Sequence, residues 1–201
     1  ETSYPREGAG NWAWTVVTPK VVRYSLLPSR ARYVATSLVG AAFSGFLVSD
    51  QYAVYDYVDA DKRQVCWAHL LRDFTRIAQR GGHAGQIGRG LLGAGYLLFR
   101  WHKQDRTALQ FEQLRRRVKR LLQQGNTQIA CTRTAKTCAN LLKLWPAMWT
   151  FLDHATVPPT NNEAERALRA LVLKRKISGP TRSRRGDDFL AHGFSAYETC
   201  R

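Results

Sequence analysis

Acidic residues are scarce in this chain of 201 residues: 15 Asp and Glu stand against 31 Lys and Arg, a formal charge of +16. A self-repelling excess of that size serves a polyanionic partner. The alternatives are a solubilising surface or affinity for anionic lipid. Long apolar runs are missing too. No stretch approaches the ~20 apolar residues of a membrane span, which excludes a transmembrane helix. Cysteine is sparse, 4 residues scattered along the chain. That excludes a disulfide scaffold and suits reduced thiols in a cytosolic protein. The opening Glu1-Thr2-Ser3-Tyr4-Pro5 has neither a basic n-region nor an apolar h-region, so no signal peptide is expected there. It also lacks an initiator Met, as a fragment or a processed product would.

What is present is enough apolar residue, 44%, for one domain with a substantial core, or a core plus an insertion. Asn11 to Leu27 reads as a β-hairpin: Trp12–Val17 and Val21–Leu26 are β-branched and aromatic, with Thr18-Pro19-Lys20 as the turn. Ser29 is the expected N-cap of a helix carrying Tyr33, Val34, Ser37, Leu38 and Ala41 at helical spacing. Phe46-Leu47-Val48-Ser49, bounded by Gly45 and Asp50, reads as a buried central strand. A short helix or turn is expected over 51–58 and a further strand over Gln64–Ala68.

From Leu70 the pattern turns helical, with Leu71, Phe74, Ile77 and Ala78 on one face and Gly81-Gly82 as punctuation. A Gly-containing helix over 87–101 follows. Thr107–Gln124 carries the apolar stripe Phe111, Leu114, Val118, Leu121 and Leu122, and is expected to end at Gly125-Asn126. The pattern predicts one helix over 134–152, kinked by Pro146, with Ala135, Ala139, Leu142, Trp145, Trp149 and Leu152 inward. Thr160-Asn161-Asn162-Glu163 matches a capping box that opens a helix to about Lys176. A loop over 178–188 and a last helix over 189–200 complete an α/β or α+β layout with a helical insertion and no internal repeat. The six tryptophans read as core.

Two carboxylates stand out. Asp50 closes an apolar strand, and Glu165 opens a helix rich in Arg and Lys. Two-metal phosphoryl transfer needs carboxylates from separate elements converging on divalent ions, and Mg²⁺ favours oxygen ligands. In a basic chain the pair points to metal-dependent chemistry on nucleic acid. Their alternatives are structural: a strand-end or capping Asp, and a Glu favoured by the helix dipole. Glu163, two residues before Glu165 and roughly 200° around the helix, has a sufficient role in the capping box. Cys66 and His69 are half of a zinc site in spacing, but Cys131 and Cys138 are wrongly spaced for the other half. A core Cys and a surface His are the alternative.

The motifs Leu47-Val48-Ser49-Asp50-Gln51-Tyr52-Ala53-Val54-Tyr55, Cys66-Trp67-Ala68-His69, Asn161-Asn162-Glu163-Ala164-Glu165-Arg166-Ala167-Leu168-Arg169 and Arg175-Lys176 resemble, in order and spacing, the insertion-sequence-66 family of DDE transposases. So does the closing Ser195-Ala196-Tyr197-Glu198-Thr199-Cys200. Between about 80 and 140 the similarity is weakest, and Ile177-Ser178 departs from the family's usual Asn-Trp. The resemblance implies an α/β, ribonuclease-H-like core of mixed sheet and flanking helices, a helical insertion, an Asp-Asp-Glu triad, two Mg²⁺ or Mn²⁺ ions, and cleavage and transfer of DNA strands.

Residue by residue, Asp50 matches the second Asp and Glu165 the Glu, as catalytic and metal-binding groups. The first Asp stands directly before a Glu-Thr pair in the family, and Glu1-Thr2 is similar to that pair. The first Asp would then lie just upstream of residue 1, most of the first core strand would be missing, and residues 1–201 alone would be inactive. Glu1 would point differently and is not assigned the role. Residues 1–79 are expected to form the N-terminal part of the core, 80–155 the insertion, and 156–201 the C-terminal helices carrying the Glu.

Cys66 and His69 would support the active site, His69 by orienting DNA or a metal-bound water. Arg166, Arg169, Lys174, Arg175 and Lys176, with Arg182, Arg184 and Arg185 in the loop, would contact DNA phosphates and confer little sequence specificity. Arg115-Arg116-Arg117 and Lys119-Arg120 would extend that footprint. The expected partners are DNA, as element ends and target, and further copies of the chain in an active complex, with no membrane. A cytoplasmic, nucleoid-associated location follows from the same resemblance. The rivals are a non-catalytic basic DNA-binding remnant and a ribonuclease-H-like nuclease, for which the chain lacks the acidic cluster.

Overall fold

A computed structural model describes residues 1–7, 10–104, 106–127 and 131–201. It is mixed α/β and mostly helical, with five strands and eight α-helices among the described residues. The chain divides into two compact units. Unit 1 comprises residues 1–45, 52–58 and 161–201, and unit 2 residues 46–51 and 59–160.

Unit 1 is built on an antiparallel sheet, β1 (Thr2–Ser3), β2 (Trp12–Val17) and β3 (Val22–Leu27), in that order. The hairpin is the expected one. The Thr18 hydroxyl accepts from the Val21 N–H at 3.0 Å and closes the turn. Alternation gives each strand two faces. On one, Ala13, Tyr24 and Leu26 pack with Ala167 and Leu171 of α7 (Asn162–Ser178) and Ala191 of α8 (Arg184–Cys200). On the other, Trp14 packs with Val34 and Ala35 of α1 (Arg32–Val39) and with Val54 of the 3₁₀ turn Ala53–Tyr55. The open edge of β3 is covered by hydroxyls of α8. Ser195 Oγ accepts from the Tyr24 N–H at 2.9 Å, and Thr199 Oγ1 from the Val22 N–H at 3.1 Å.

Three local expectations change here. Ser29 is not the N-cap of α1; Ala31 is. The Ser29 hydroxyl is taken by the Ala31 N–H, a short-range turn that delays the helix. The capping box at Thr160 is not formed. The N-cap of α7 is Asn161, with no side-chain cap bond, so Glu163 falls on the second helical position, where it cannot reach back. The loop after α7 is short, because Ser183 caps α8 by accepting from the Gly186 N–H. Arg184 and Arg185 are therefore helical, not in a loop. Gly179 ends α7 at φ 70°, a left-handed conformation that glycine adopts without strain.

Unit 2 holds a parallel pair, β4 (Leu47–Ser49) and β5 (Arg63–Val65), then α2 (Trp67–Ala78), α3 (Gly82–His102), α4 (Ala108–Asn126), α5 (Thr132–Lys143) and α6 (Thr150–Asp153). The sequence suggested a buried central strand at 46–49. Instead Phe46 is exposed, Leu47 and Val48 are half-buried, and β5 is the wholly buried strand. Trp67 and Ala68 are helical rather than extended. Gly125 and Asn126 lie inside α4, since Gly125 is packed against Cys138 of α5. Pro146 does not kink one long helix. It opens a separate 3₁₀ turn, Pro146–Met148, between α5 and α6. The buried residues of this region are Thr134, Cys138 and Leu141, then Ala147 to Phe151; of the expected inward set Trp149 is buried, and Leu142, Trp145 and Leu152 are half-buried against the core.

α3 approaches α2 closely because it is glycine-rich on that side. A Cβ on Gly88 would overlap the backbone of Ile77 and Ala78, and one on Gly95 would meet Leu71. Gly93 has nothing within 4 Å. Alanine should therefore act with opposite sign at the two sites. Gly88→Ala is expected to lower stability by about 1–3 kcal/mol through overpacking. Gly93→Ala should raise it by about 0.5–1 kcal/mol through helix propensity. Urea melts of both variants test this, and equal shifts would disprove the close approach.

The Tyr24 phenol donates to the Ala167 carbonyl at 2.8 Å. Burial, with the Glu198 charge second, pushes its pKa up to about 12 from 10.0. A folded-state value above the unfolded one means a contribution that is full below pH 10 and lost as pH rises through about 12. Tyr24→Phe should cost about 1 kcal/mol near neutrality and flatten the alkaline fall in melting temperature. An unchanged alkaline slope would place the titration elsewhere.

Candidate active site

The strand register of unit 2 sets the position of Asp50. β4 and β5 run in parallel with Ser49 opposite Val65, and the Cys66 N–H continues the ladder to the Ser49 carbonyl at 2.8 Å. Asp50 follows immediately, half-buried. Arg63 of β5 is 1% exposed. Its Nε donates to Ser49 Oγ at 3.1 Å and its Nη2 to the Asp50 carbonyl at 2.9 Å. On the far side, Gln51 Nε2 donates to Asp73 Oδ2 at 2.5 Å, and Asp73 pairs with Arg76 at 2.8 Å. The peptides flanking the Asp50 side chain are thus held from the β5 side, and the next side chain, Gln51, is held from α2. A buried guanidinium survives only with its donors used.

The outer side of β5 is closed by side chains as well. The Gln64 amide donates to the Val65 carbonyl at 2.7 Å and accepts from the Phe151 N–H at 2.9 Å. Thr150 Oγ1 donates to the Arg63 carbonyl at 2.6 Å. Sequence reading passed over Arg63 and Gln64, because polar residues in a short stretch carry no periodic signal. The one available sign was their place between an apparent turn and Val65-Cys66-Trp67.

Cys66 and His69 stand at the start of α2. Cys66 is the buried N-cap, His69 is half-buried, and the His69 N–H donates to the Cys66 carbonyl at 3.1 Å. The Cys66 sulfur and a His69 ring nitrogen lie within 4.8 Å. Arg72 Nη1 is 3.3 Å from His69 Nε2. A guanidinium only donates, so Nε2 is the acceptor in that contact. Cys131 and Cys138 join no group of three or more metal-ligating side chains among the described residues. Burial pushes the Cys138 thiol up to about 11, while the Thr134 hydroxyl, helped by Arg80, holds the Cys131 thiol below its ordinary range. The second half of a zinc site is not built from them.

Glu165 belongs to unit 1, in the first turn of α7, half-buried, its N–H donating to the Asn161 carbonyl at 3.1 Å. Arg169 follows one turn on, on the same flank. Of the expected DNA-contacting cations, Arg166, Arg169, Lys176, Arg182, Arg184 and Arg185 are exposed, and Lys174 and Arg175 are half-buried. Arg175 donates to the Ser3 carbonyl, and Arg182 lies 3.7 Å from Glu7. Glu1 is taken up structurally: its carboxylate pairs with Arg30 at 2.9 Å, and the Arg30 guanidinium stacks on Trp12 and Tyr52.

The chain belongs to the IS66 family of transposases: the family described as "Transposase IS66 family" matches residues 1–188. No curated protein and no solved structure matches the chain. At the level of the family it is an enzyme of the DDE transposase type, and such enzymes use divalent metal ions. No helix among the described residues is long and apolar enough to cross a membrane.

Arg63→Met would remove the guanidinium donors of the Ser49 hydroxyl and the Asp50 carbonyl, the carbonyl keeping the Ser49 hydroxyl at 2.9 Å. The expected loss is about 2–4 kcal/mol, with Arg63→Lys intermediate. Denaturant midpoints measure it. An unchanged midpoint for Arg63→Met would show the guanidinium dispensable.

Proposed function

We propose that the chain is catalytic-domain sequence of a DNA transposase, with Asp50 and Glu165 as metal-binding catalytic carboxylates acting in strand cleavage and transfer at element ends. The observation that carries this reading is the family membership across residues 1–188, with Asp50 directly after a strand and Glu165 in the first turn of a helix. Both are rigid element ends, which suits groups that must hold ions in fixed register. Within this reading the core is ribonuclease-H-like, formed by residues 1–79 and 156–201, and residues 80–155 are the insertion.

The donor set fits the cofactor. Two half-buried carboxylates are hard oxygen ligands suited to Mg²⁺ or Mn²⁺. When bound, such ions supply charge stabilisation for the attacking and leaving oxygens of an in-line displacement. Arg63 keeps the Asp50 peptide in place. Cys66 and His69 support the same region, His69 by orienting DNA or water. Arg166, Arg169, Lys174, Arg175 and Lys176, with Arg182, Arg184 and Arg185, bind phosphates. The DNA is engaged by more than one copy of the chain.

The triad of this reading has a third carboxylate, so the test uses a polypeptide that carries all three. In such a polypeptide, Asp50→Asn and Glu165→Gln should each cut Mn²⁺-dependent cleavage of element-end DNA roughly 100-fold or more, with DNA binding retained. Full cleavage in either variant would remove that residue from the mechanism. DNA binding without cleavage in any form of the protein would favour the second reading, a non-catalytic DNA-binding remnant.

A further inference from the structure

The acidic residues of unit 2 are unevenly placed. From Gln113 to Leu152 the sequence has no Asp or Glu, and this stretch forms α4 from its second turn, then α5 and the 3₁₀ turn. The two helices pack on each other. Phe111, Leu114, Val118 and Leu122 are the buried stripe of α4, and Thr134, Cys138 and Leu141 that of α5. Arg117 and Arg120 then fall on the outward side of α4, and Lys136 and Lys143 on that of α5, all exposed. Neighbouring cations have other work: Arg115 pairs with Glu112 and stacks on Trp149, Arg116 pairs with Glu112, and Lys119 lies over Trp145. Among the described residues, the ion pairs of this segment are those of Glu112.

A face of one sign costs stability. Like charges at i,i+3 and i,i+4, as in Arg117–Arg120 and Arg116–Arg120, repel by about 0.2–0.5 kcal/mol per pair. A surface that only needed solvation would mix both signs. A bound polyanion removes the repulsion. The outward stripe of α4 carries one exposed apolar side chain, Leu109 in the first turn, and continues with Gln113, Gln123 and Gln124, short of the broad apolar face that insertion into a lipid surface requires.

We propose that the outward faces of α4 and α5 bind the phosphate backbone of duplex DNA, without regard to sequence, as a surface additional to the α7 cations. The proposal rests on the reading of the chain as a DNA transposase and names a second place where it holds its substrate. Contacts of this kind release counterions, so each cation that meets a phosphate adds about 0.9 to the slope of log affinity against log salt.

The test is fluorescence anisotropy of residues 1–201 on an arbitrary duplex of two helical turns, from about 50 to about 200 mM salt. Replacing Arg117, Arg120, Lys136 and Lys143 by Gln should lower the salt slope by roughly 3–4. Gln is a good helix former, and circular dichroism checks the fold. If the fourfold variant unfolds, Lys136→Gln with Lys143→Gln on α5 alone should lower the slope by about 2. Arg117→Lys with Arg120→Lys keeps the charge and should bind like the wild type. The control removes four exposed cations of unit 1, Lys20, Arg23, Arg32 and Arg201, and should leave the slope unchanged.

A wild-type slope in the fourfold variant would overturn the proposal. So would an equal loss in the control, which would assign the effect to net charge. Tighter binding to phosphatidylserine vesicles than to DNA, lost in the same variant, would assign the face to lipid. If the wild type binds DNA and only Arg166→Gln with Arg169→Gln abolishes the slope, this surface is wrong and the transposase reading stands. If the wild type binds no duplex at all, this surface and the assignment of the α7 cations to DNA both fall.

Discussion

A strand at the edge of a sheet carries backbone donors and acceptors that water or another chain will otherwise take. In unit 1 the edge of β3 is closed by two hydroxyls spaced one helical turn apart, Ser195 and Thr199 of α8. That spacing holds α8 against β3, and the Tyr24 phenol reaching the Ala167 carbonyl ties α7 to the same strand. With β3 held, the alternation of the hairpin decides the rest. Ala13, Tyr24 and Leu26 face α7 and α8, and Trp14 faces α1. The first turn of α8 is anchored separately. Buried Asp187 accepts from the Asn11 amide at 2.7 Å and from the Thr181 hydroxyl, with Arg6 at 3.4 Å. Glu165 inherits its place from α7, which the Tyr24 phenol ties to β3.

Unit 2 uses a different economy. Its sheet has only two strands, too few to stand alone, and its backbone is completed by side chains: Gln64, Thr150 and Arg63. The large core lies among the helices, where Trp67, Phe74, Leu91, Leu98 and Leu122 are fully buried. Glycines on α3 let its backbone reach that of α2, which gives dispersion contacts at the cost of helix propensity. Asp50 emerges from the end of β4, its carbonyl held by a guanidinium of β5 that is withdrawn from water.

Membership of the IS66 transposase family makes sense of a charge distribution that would otherwise be a liability. The exposed cations of α7 follow Glu165 on the same helix, and those of α4 and α5 occupy a stretch with no acidic residue. Both patterns suit a polyanion held by its backbone, where affinity comes from counterion release rather than from reading bases. Cys66 and His69, one turn apart at the head of α2, add a buried sulfur and a half-buried ring close to the end of β4.

Much of this was legible in the sequence. The hairpin, the helical character from Leu70 onward, the punctuation at Gly81-Gly82 and the motifs around Asp50 and Glu165 rest on local periodicity and on short motifs, which need no partner to be recognised. The parts that were misread depend on what lies across the contact. The Thr160 box gave way because the helix starts at Asn162, and the inward face of α5 follows Cys138 because that side chain meets Gly125. The apolar segment at Leu47–Ser49 proved half-buried, while the polar one at Arg63–Val65 is buried throughout. Composition states what a side chain prefers when nothing else competes. Arg63 and Gln64 go against that preference because their polar groups meet hydrogen-bond partners 13 to 87 residues away in sequence, and such partners come together only once the chain has folded.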